Sequence, residues 1–432
     1  MALYCAKETT MTQQNVAIIG GGIIGICTAL SLQQKGFAVS IIDKKGIAQE
    51  CSQGNAGHIA TEQVFPLADA KLLPQIPKML LDPLGPFRIK PSYFFKAIPW
   101  FCRFLLNMRT KQYVHSRELL KQLNHHSIDS LNALLQHYQL ENLVKMNGSL
   151  LTFESTPDSK IKALLDTFQA HDVDVSWLSY QQALAIEPNL SNNVKSAFHF
   201  KTGGHTIDPE VLCLELAKKF MANDGQIIID TIENICSDDQ ASSGVQSAAS
   251  PIVIKGQKQQ YQFDNIVLAT GAWSKTFAKQ LGYQVPLDTE RGYHLMVQQT
   301  QLLNLPVSSA ERKFIMTPLS SGLRLAGTVE FAGLDAPLNP QRAQALLPHA
   351  QKILANLPLN NVSKPWMGFR PSLPDSLPVI GRSPKQSNVY FAFGHHHLGL
   401  THGALTGQLI ASQMSNEQPR IDLSPFCISR FN

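Results

Sequence analysis

The sequence predicts an α/β protein: a parallel sheet shared among three separated stretches of chain, interleaved with an α+β domain built on an antiparallel sheet. Three observations carry this. An apolar strand near the N-terminus runs into Gly20-Gly21-Gly22-Ile23-Ile24-Gly25 and then a helix. A second apolar strand, Asn265 to Leu268, ends in the small-residue turn Ala269-Thr270-Gly271-Ala272. A third, Val389 to Phe393, ends at Gly394 and leads into a Gly-rich helical stretch from about Leu400 to Met414. At 432 residues the chain is too long for one small core and fits two domains.

The first element is the most specific. In a Gly-x-Gly-x-x-Gly turn between strand and helix, Gly20 makes the tight turn, Gly22 lets the backbone approach a pyrophosphate, and Gly25 lets helix and strand pack closely. The helix opens at Ile23 and Ile24, offering N–H groups and a positive dipole end to phosphate. Val39-Ser40-Ile41-Ile42-Asp43 follows as a second strand. Asp43, 18 positions after Gly25 and followed by Lys44, is placed to accept hydrogen bonds from an adenosine ribose. Together these make a Rossmann-like unit for FAD or NAD(P).

The turn Thr270-Gly271-Ala272-Trp273 brings a second contact to the carboxyl edge of the same sheet. The loop Gly394-His395-His396-His397-Leu398-Gly399 starts a helix whose positive end suits the N1–C2=O edge of a flavin, where reduced flavin gathers negative charge. This favours bound FAD over a passing NAD. Residues 13–72, 200–285 and 360–415 are therefore expected to form a discontinuous FAD-binding domain. The substrate domain is expected at 73–199 and 286–359, and a disordered leader at 1–12.

Composition narrows the function. A net charge of +5 with no run of five like charges argues against nucleic-acid binding. Seven cysteines stand singly without a C-x-x-C, which excludes a zinc ribbon or redox dithiol and suits a reducing, cytoplasmic compartment. No apolar stretch reaches the ~18–20 residues needed to cross a bilayer. The segment Leu73 to Met108 is unusual: prolines punctuate it, and Met79-Leu80-Leu81, Tyr93-Phe94-Phe95 and Trp100 to Leu106 interleave with Lys78, Arg88, Lys90, Lys96 and Arg103. It reads either as a lid over the site or as a surface lying on the inner face of the cytoplasmic membrane.

Taken together, these motifs resemble the D-amino-acid oxidase/dehydrogenase superfamily of FAD-dependent oxidoreductases, nearest to the bacterial D-amino-acid dehydrogenase (small-subunit) branch. The resemblance also rests on Ser52-x-Gly54-Asn55-Ala56-Gly57-His58, Arg291-Gly292-Tyr293, Gly327-Thr328-x-Glu330, Gly368-Phe369-Arg370-Pro371 and Gly394-His395-x-His397-Leu398-Gly399. It implies hydride transfer from the Cα of an amino acid to flavin N5, with electrons passed to a quinone or electron-transfer protein. Ser52, Asn55, Ala56, Gly57 and His58 join the implied cofactor contacts. Members that attach FAD covalently use a cysteine just after the Gly-Phe-Arg stretch; Pro371-Ser372-Leu373-Pro374 has none, so non-covalent FAD is expected.

Arg370 is the expected partner of the substrate carboxylate, because a guanidinium supplies a planar bidentate fork. Arg291 and Tyr293 would either add a contact or form a structural pair on the sheet. His58 would either bond substrate, shape the flavin, or be a satisfied buried histidine. His395 and His397, on one side of an extended loop, would line the flavin's substrate face. The adjacency of His395, His396, His397 and His402 lacks tetrahedral ligand spacing, so no metal is expected. Two rival functions remain: a glycine- or sarcosine-type oxidase using O₂, and a non-catalytic FAD-binding relay subunit. A D-proline or hydroxyproline-like substrate is one option within the primary reading.

Overall fold

A computed structural model of the chain describes residues 13–75, 82, 84–236, 251–299 and 301–431. The leader expected at 1–12, together with Pro77, Lys78, Met79-Leu80-Leu81 and Pro83, lies outside the described residues.

Asn15–Ile19 pairs in parallel with Ala38–Asp43 on one side and Asn265–Leu268 on the other. Gln226–Ile229 and Val389–Phe393 extend the sheet in parallel, and Val379–Arg382 closes one edge antiparallel, giving six strands. Both faces are covered, which is why these strands read as unbroken apolar runs. Val16 and Ile18 pack toward the helices Ile23–Gln34, Pro209–Ala222, Gly399–Met414 and Thr110–Tyr138. Ala17 and Ile19 pack under a three-stranded antiparallel sheet of Ile232–Cys236, Ile252–Gly256 and Gln260–Phe263. Gly407 lies on the Cys27 carbonyl, where a Cβ would overlap; glycine alone lets these two helices approach so closely.

The second sheet runs in the order Trp366–Ser372, Asp288–Val297, Gly322–Phe331, Phe314–Leu319, Val307–Ser309, Ser149–Phe153, Ser196–Phe200 and Val175–Ser179, with Phe87–Ile89 beside Gly322–Phe331. It is antiparallel except where Val307–Ser309 meets Ser149–Phe153 and where Phe87–Ile89 meets its neighbour. Trp366–Ser372, expected inside the FAD-binding stretch 360–415, is instead an edge strand of this sheet. Its ladder partner is Asp288–Val297, so the chain returns to the nucleotide-binding sheet only after Ser372.

Register decides which side chains face the site. Glu290, Gly292 and His294 stand opposite Arg370, Gly368 and Trp366 and share one face; Arg291 and Tyr293 stand opposite Phe369 and Met367 on the other. The first face meets the loop at 51–57. His294 Nδ1 donates to the Gly54 carbonyl at 3.1 Å, and Arg324 Nη1 donates to the carbonyls of Gln53 and Asn55. Trp366 stacks on His294 at 4.6 Å and fills the space a Cβ on Gly54 would need. The second face lies beneath the helices Pro340–Gln344 and Leu346–Ile353.

Candidate active site

At the carboxyl ends of the parallel strands lies a cavity of about 400 Å³. Its wall contains Gly20, Gly22, Ile23, Ile24, Asp43, Lys44, Ser52, Asn55, Thr270, Gly271, Trp273, Gly394, His395 and Gly399. Gly20 adopts φ 112° with the Ala269 carbonyl where a Cβ would stand, and Gly25 lies off the wall, packed on the Gly20 carbonyl. The helix begun at Ile23 has no side-chain cap and no acid in its first turn. Its Ile23 N–H donates to Ser52 Oγ at 3.0 Å, and the positive end of the helix dipole lies at the cavity wall.

Asp43 braces this turn. It accepts from the N–H groups of Gly21, Lys45 and Gly46 at 2.8, 2.8 and 3.0 Å. Two carboxylate oxygens accept about four hydrogen bonds, so capacity remains for a ribose hydroxyl. Lys44 Nζ sits 3.6 Å over the Trp273 ring and 3.3 Å from Glu50. Asn55 Oδ1 accepts from Gly57 N at 2.8 Å, so Asn55 and Gly57 shape the loop rather than both lining the cavity. Ala56 and Leu398 also lie off the wall. The shape and donors fit a dinucleotide. Wall residues the sequence reading missed include Asp230, Thr231, Cys51, Cys213 and Phe369. The first two follow the Gln226–Ile229 strand, so the rule that ligands sit at strand carboxyl ends would have found them. Burial pushes the thiols of Cys51 and Cys213 up to about 11 and 12, which keeps both protonated.

Arg370 lies off the cavity wall, between the wall residues Phe369 and Pro371, on the sheet face that meets the loop at 51–57. Its guanidinium lies over Gly292, and Nη1 donates to the Thr328 carbonyl at 3.2 Å. Among the described residues no carboxylate comes within 4.0 Å of it. Arg291 is different: it is fully buried, donates to the carbonyls of Gly333 and Pro337, and lies 3.9 Å from Glu330. Tyr293 shares that second face and donates to Glu330 at 2.5 Å. Arg291 and Tyr293 are thus a structural group beneath the sheet, turned away from Arg370 by strand alternation.

The histidine loop departs from the expected extended path. His396 takes φ 51°, which turns the chain and breaks the alternation, so His395 and His396 reach the cavity wall while His397 does not. His395 Nε2 lies 3.0 Å from Thr406 Oγ1. Leu373 N–H donates to His396 Nε2, so Nδ1 donates to Ser372 Oγ, which in turn donates to Glu290. Burial, and for His397 the neighbouring Arg370, holds His396 and His397 at about 4, uncharged at neutral pH. His402 Nε2 lies 2.7 Å from Asn124 Oδ1. Among the described residues no group of His, Cys, Asp or Glu is arranged to hold a metal.

His58 lies off the cavity wall, on a two-residue strand paired with His205. Its Nε2 is 3.7 Å from the buried carboxylate of Glu62, a residue the sequence reading did not single out. An acid four residues after a histidine is an ordinary pattern, and only the fold, which packs Gly203 against both side chains, shows that they are buried together.

Residues 15–413 match the family described as FAD dependent oxidoreductase (DAO). The chain is 32% identical over 97% of its length to a D-amino-acid oxidase of Bradyrhizobium diazoefficiens, which it covers to 99%. It is 26% identical over 94% of its length to a D-amino acid dehydrogenase of Vibrio vulnificus, covering 98% of it. Among solved structures, glycine oxidase from Geobacillus kaustophilus superimposes with a TM-score of 0.74 at 20% identity, over 97% of this chain and 99% of that one. The glycine cradle, the strand-end cavity and a match running almost the length of the chain lead to one family: this chain is a DAO-family, FAD-dependent oxidoreductase.

Proposed function

We propose that this enzyme oxidises D-amino acids, cyclic imino acids of the D-proline and hydroxyproline kind included, and passes the electrons to an acceptor other than O₂. The observation that carries the reading is Arg370, a cation beside the cavity with a backbone carbonyl on one nitrogen and no carboxylate within reach among the described residues. An α-carboxylate is the group that completes it. Bound FAD, held without a covalent link, supplies the hydride acceptor. The chain's own part is to fix the carboxylate and keep the neighbouring imidazoles of His396 and His397 uncharged. The D configuration is supported by the names of the relatives from Bradyrhizobium and Vibrio.

The acceptor is supported by one surface. The helix Phe94–Asn107 is anchored by Trp100, whose Nε1 donates to the Ser372 carbonyl beside the site. Its other face shows Phe94, Phe95, Ile98, Leu105 and Leu106 to solvent, Phe95 being 82% exposed. From residue 83 to 117 the chain has seven Lys or Arg and no Asp or Glu. An aromatic, cationic, acid-free helix suits an anionic bilayer surface, at the depth where a quinone is reached. No helix among the described residues is long and apolar enough to cross a membrane.

The test is anaerobic bleaching of the flavin by a panel of D-, L- and N-methyl amino acids. Bleaching by D-amino acids with slow reoxidation in air is expected. The Bradyrhizobium relative is named an oxidase, which favours a second reading in which O₂ is the acceptor; rapid reoxidation with stoichiometric peroxide would establish it. Failure of every amino acid to bleach the flavin overturns both.

A further inference from the structure

The ladder between Asp288–Val297 and Gly322–Phe331 is interrupted at the site. Arg291 pairs with Glu330 and Tyr293 with Gly327, so Thr328 and Val329 together stand opposite Gly292. This is a β-bulge, and its first residue, Thr328, adopts φ 60°. The left-handed position of such a bulge belongs to glycine, because a β-branched side chain there is strained. Gly327, the immediate neighbour, is itself fixed in the ladder opposite Tyr293, where a Cβ would stand 2.8 Å from Phe314 Cβ, so the left-handed position falls on threonine. The left-handed residue therefore carries a hydroxyl that a glycine would not offer, and its use is read from its surroundings.

The use lies beside it. The Thr328 carbonyl accepts from Arg370 Nη1 at 3.2 Å, and the same guanidinium overlies Gly292, where a Cβ would stand 2.6 Å from its carbon. Bulge, glycine and arginine are therefore one assembly. Thr328 is 93% buried (7% exposed), and its hydroxyl has no hydrogen-bond partner among the described residues. A buried hydroxyl left without a partner is costly, and a bound group that satisfied it would gain accordingly.

We infer that Thr328 is a second carboxylate-binding residue: its hydroxyl donates to the carboxylate that Arg370 grips, while its carbonyl fixes the guanidinium. This rests on the reading of Arg370 given above. The strain at Thr328 is held by the ladder on both sides and by Val329 N–H donating to the Pro86 carbonyl.

The test uses oxidised holoenzyme titrated with acetate, followed by the flavin absorbance, alongside steady-state kinetics and thermal melts of T328V, T328S, T328G and R370A. T328V keeps shape and strain but lacks the hydroxyl. It is expected to bind acetate roughly 10- to 100-fold more weakly and to raise KM similarly, with kcat within a few-fold of wild type. T328S is expected to restore binding. T328G is expected to bind as weakly as T328V with a Tm no lower than wild type, because glycine relieves the left-handed strain. A purely structural threonine would give the reverse: T328V binding acetate normally, with stability alone changing. If acetate binding falls in R370A but not in T328V, the assignment of Thr328 is overturned and that of Arg370 stands. If wild type shows no acetate response, or R370A binds as wild type does, both are overturned.

Discussion

Two arginines on paired strands, Arg291 next to Gly292 and Arg370 two positions after Gly368, have opposite surroundings, and the difference lies in what each one touches. Arg291 spends its donors on the carbonyls of Gly333 and Pro337 and lies by Glu330 inside the protein. Arg370 has one backbone carbonyl and room above Gly292. Removing Arg370 is therefore expected to raise KM for the amino-acid substrate about 100-fold, or about 3 kcal/mol, with FAD content and Tm little changed. R370K is expected to recover only part of this, since an ammonium cannot form the bidentate fork. R291A should do the contrary, lowering Tm by removing a cation beside the buried Glu330 and the donors to the Gly333 and Pro337 carbonyls, and steady-state assays with melting curves on the three variants separate the cases. Gly292→Ala makes a finer probe. Its new Cβ would press on the guanidinium, so KM is expected to rise at least 10-fold while the flavin spectrum stays that of wild type.

At the scale of elements, the parts legible in the sequence are those whose requirement is local. Gly20, Gly22 and Gly25 each answer to the turn they sit in, and the strand, helix and acid around them fall where the spacing predicts. G25A is accordingly expected to lose FAD on gel filtration, because a Cβ at that position runs into the Gly20 carbonyl. The roof was harder to read because its meaning is non-local. Whether Tyr293 faces substrate or core depends on ladder register against Gly322–Phe331 and Trp366–Ser372, neither of which Tyr293 encodes. The histidine loop failed for a related reason: alternation assumes extended backbone, and His396 leaves it at φ 51°. The Phe94–Asn107 helix was legible in chemistry though not in contacts, since only the fold shows that Trp100 ties it to Ser372. Replacing Phe95 and Leu106 by Asp is expected to abolish flotation with anionic vesicles at low salt without altering kcat for a soluble dye acceptor. Wild type that stays unfloated would sink the membrane reading.

The whole molecule carries a pH dependence that follows from how many imidazoles it buries uncharged. Desolvation lowers His205, His396 and His397 to about 4 and His294 and His402 to about 3. In the unfolded chain each returns to 6.5 and takes up a proton below it. Between 6.5 and about 4 the unfolded state thus binds more protons than the folded one, so stability falls as pH falls. Glu187 opposes this. Burial raises its carboxyl to about 7 despite N–H donors from Asn304 and Leu305, so its contribution is present below 4.5 and is lost as pH rises toward 7. Five histidines against one glutamate settle the sign over the shared window. Urea unfolding of the holoenzyme is expected to give a midpoint that drops steeply between pH 6.5 and 5, with loss of FAD accompanying it, because His396 ties the flavin-side loop to Ser372 and the Leu373 backbone. H294Q, which removes one of the titrating rings while keeping a donor for the Gly54 carbonyl, should flatten the acid limb by about one proton. An acid limb as steep in H294Q as in wild type would show that His294 is not among the groups that drive it.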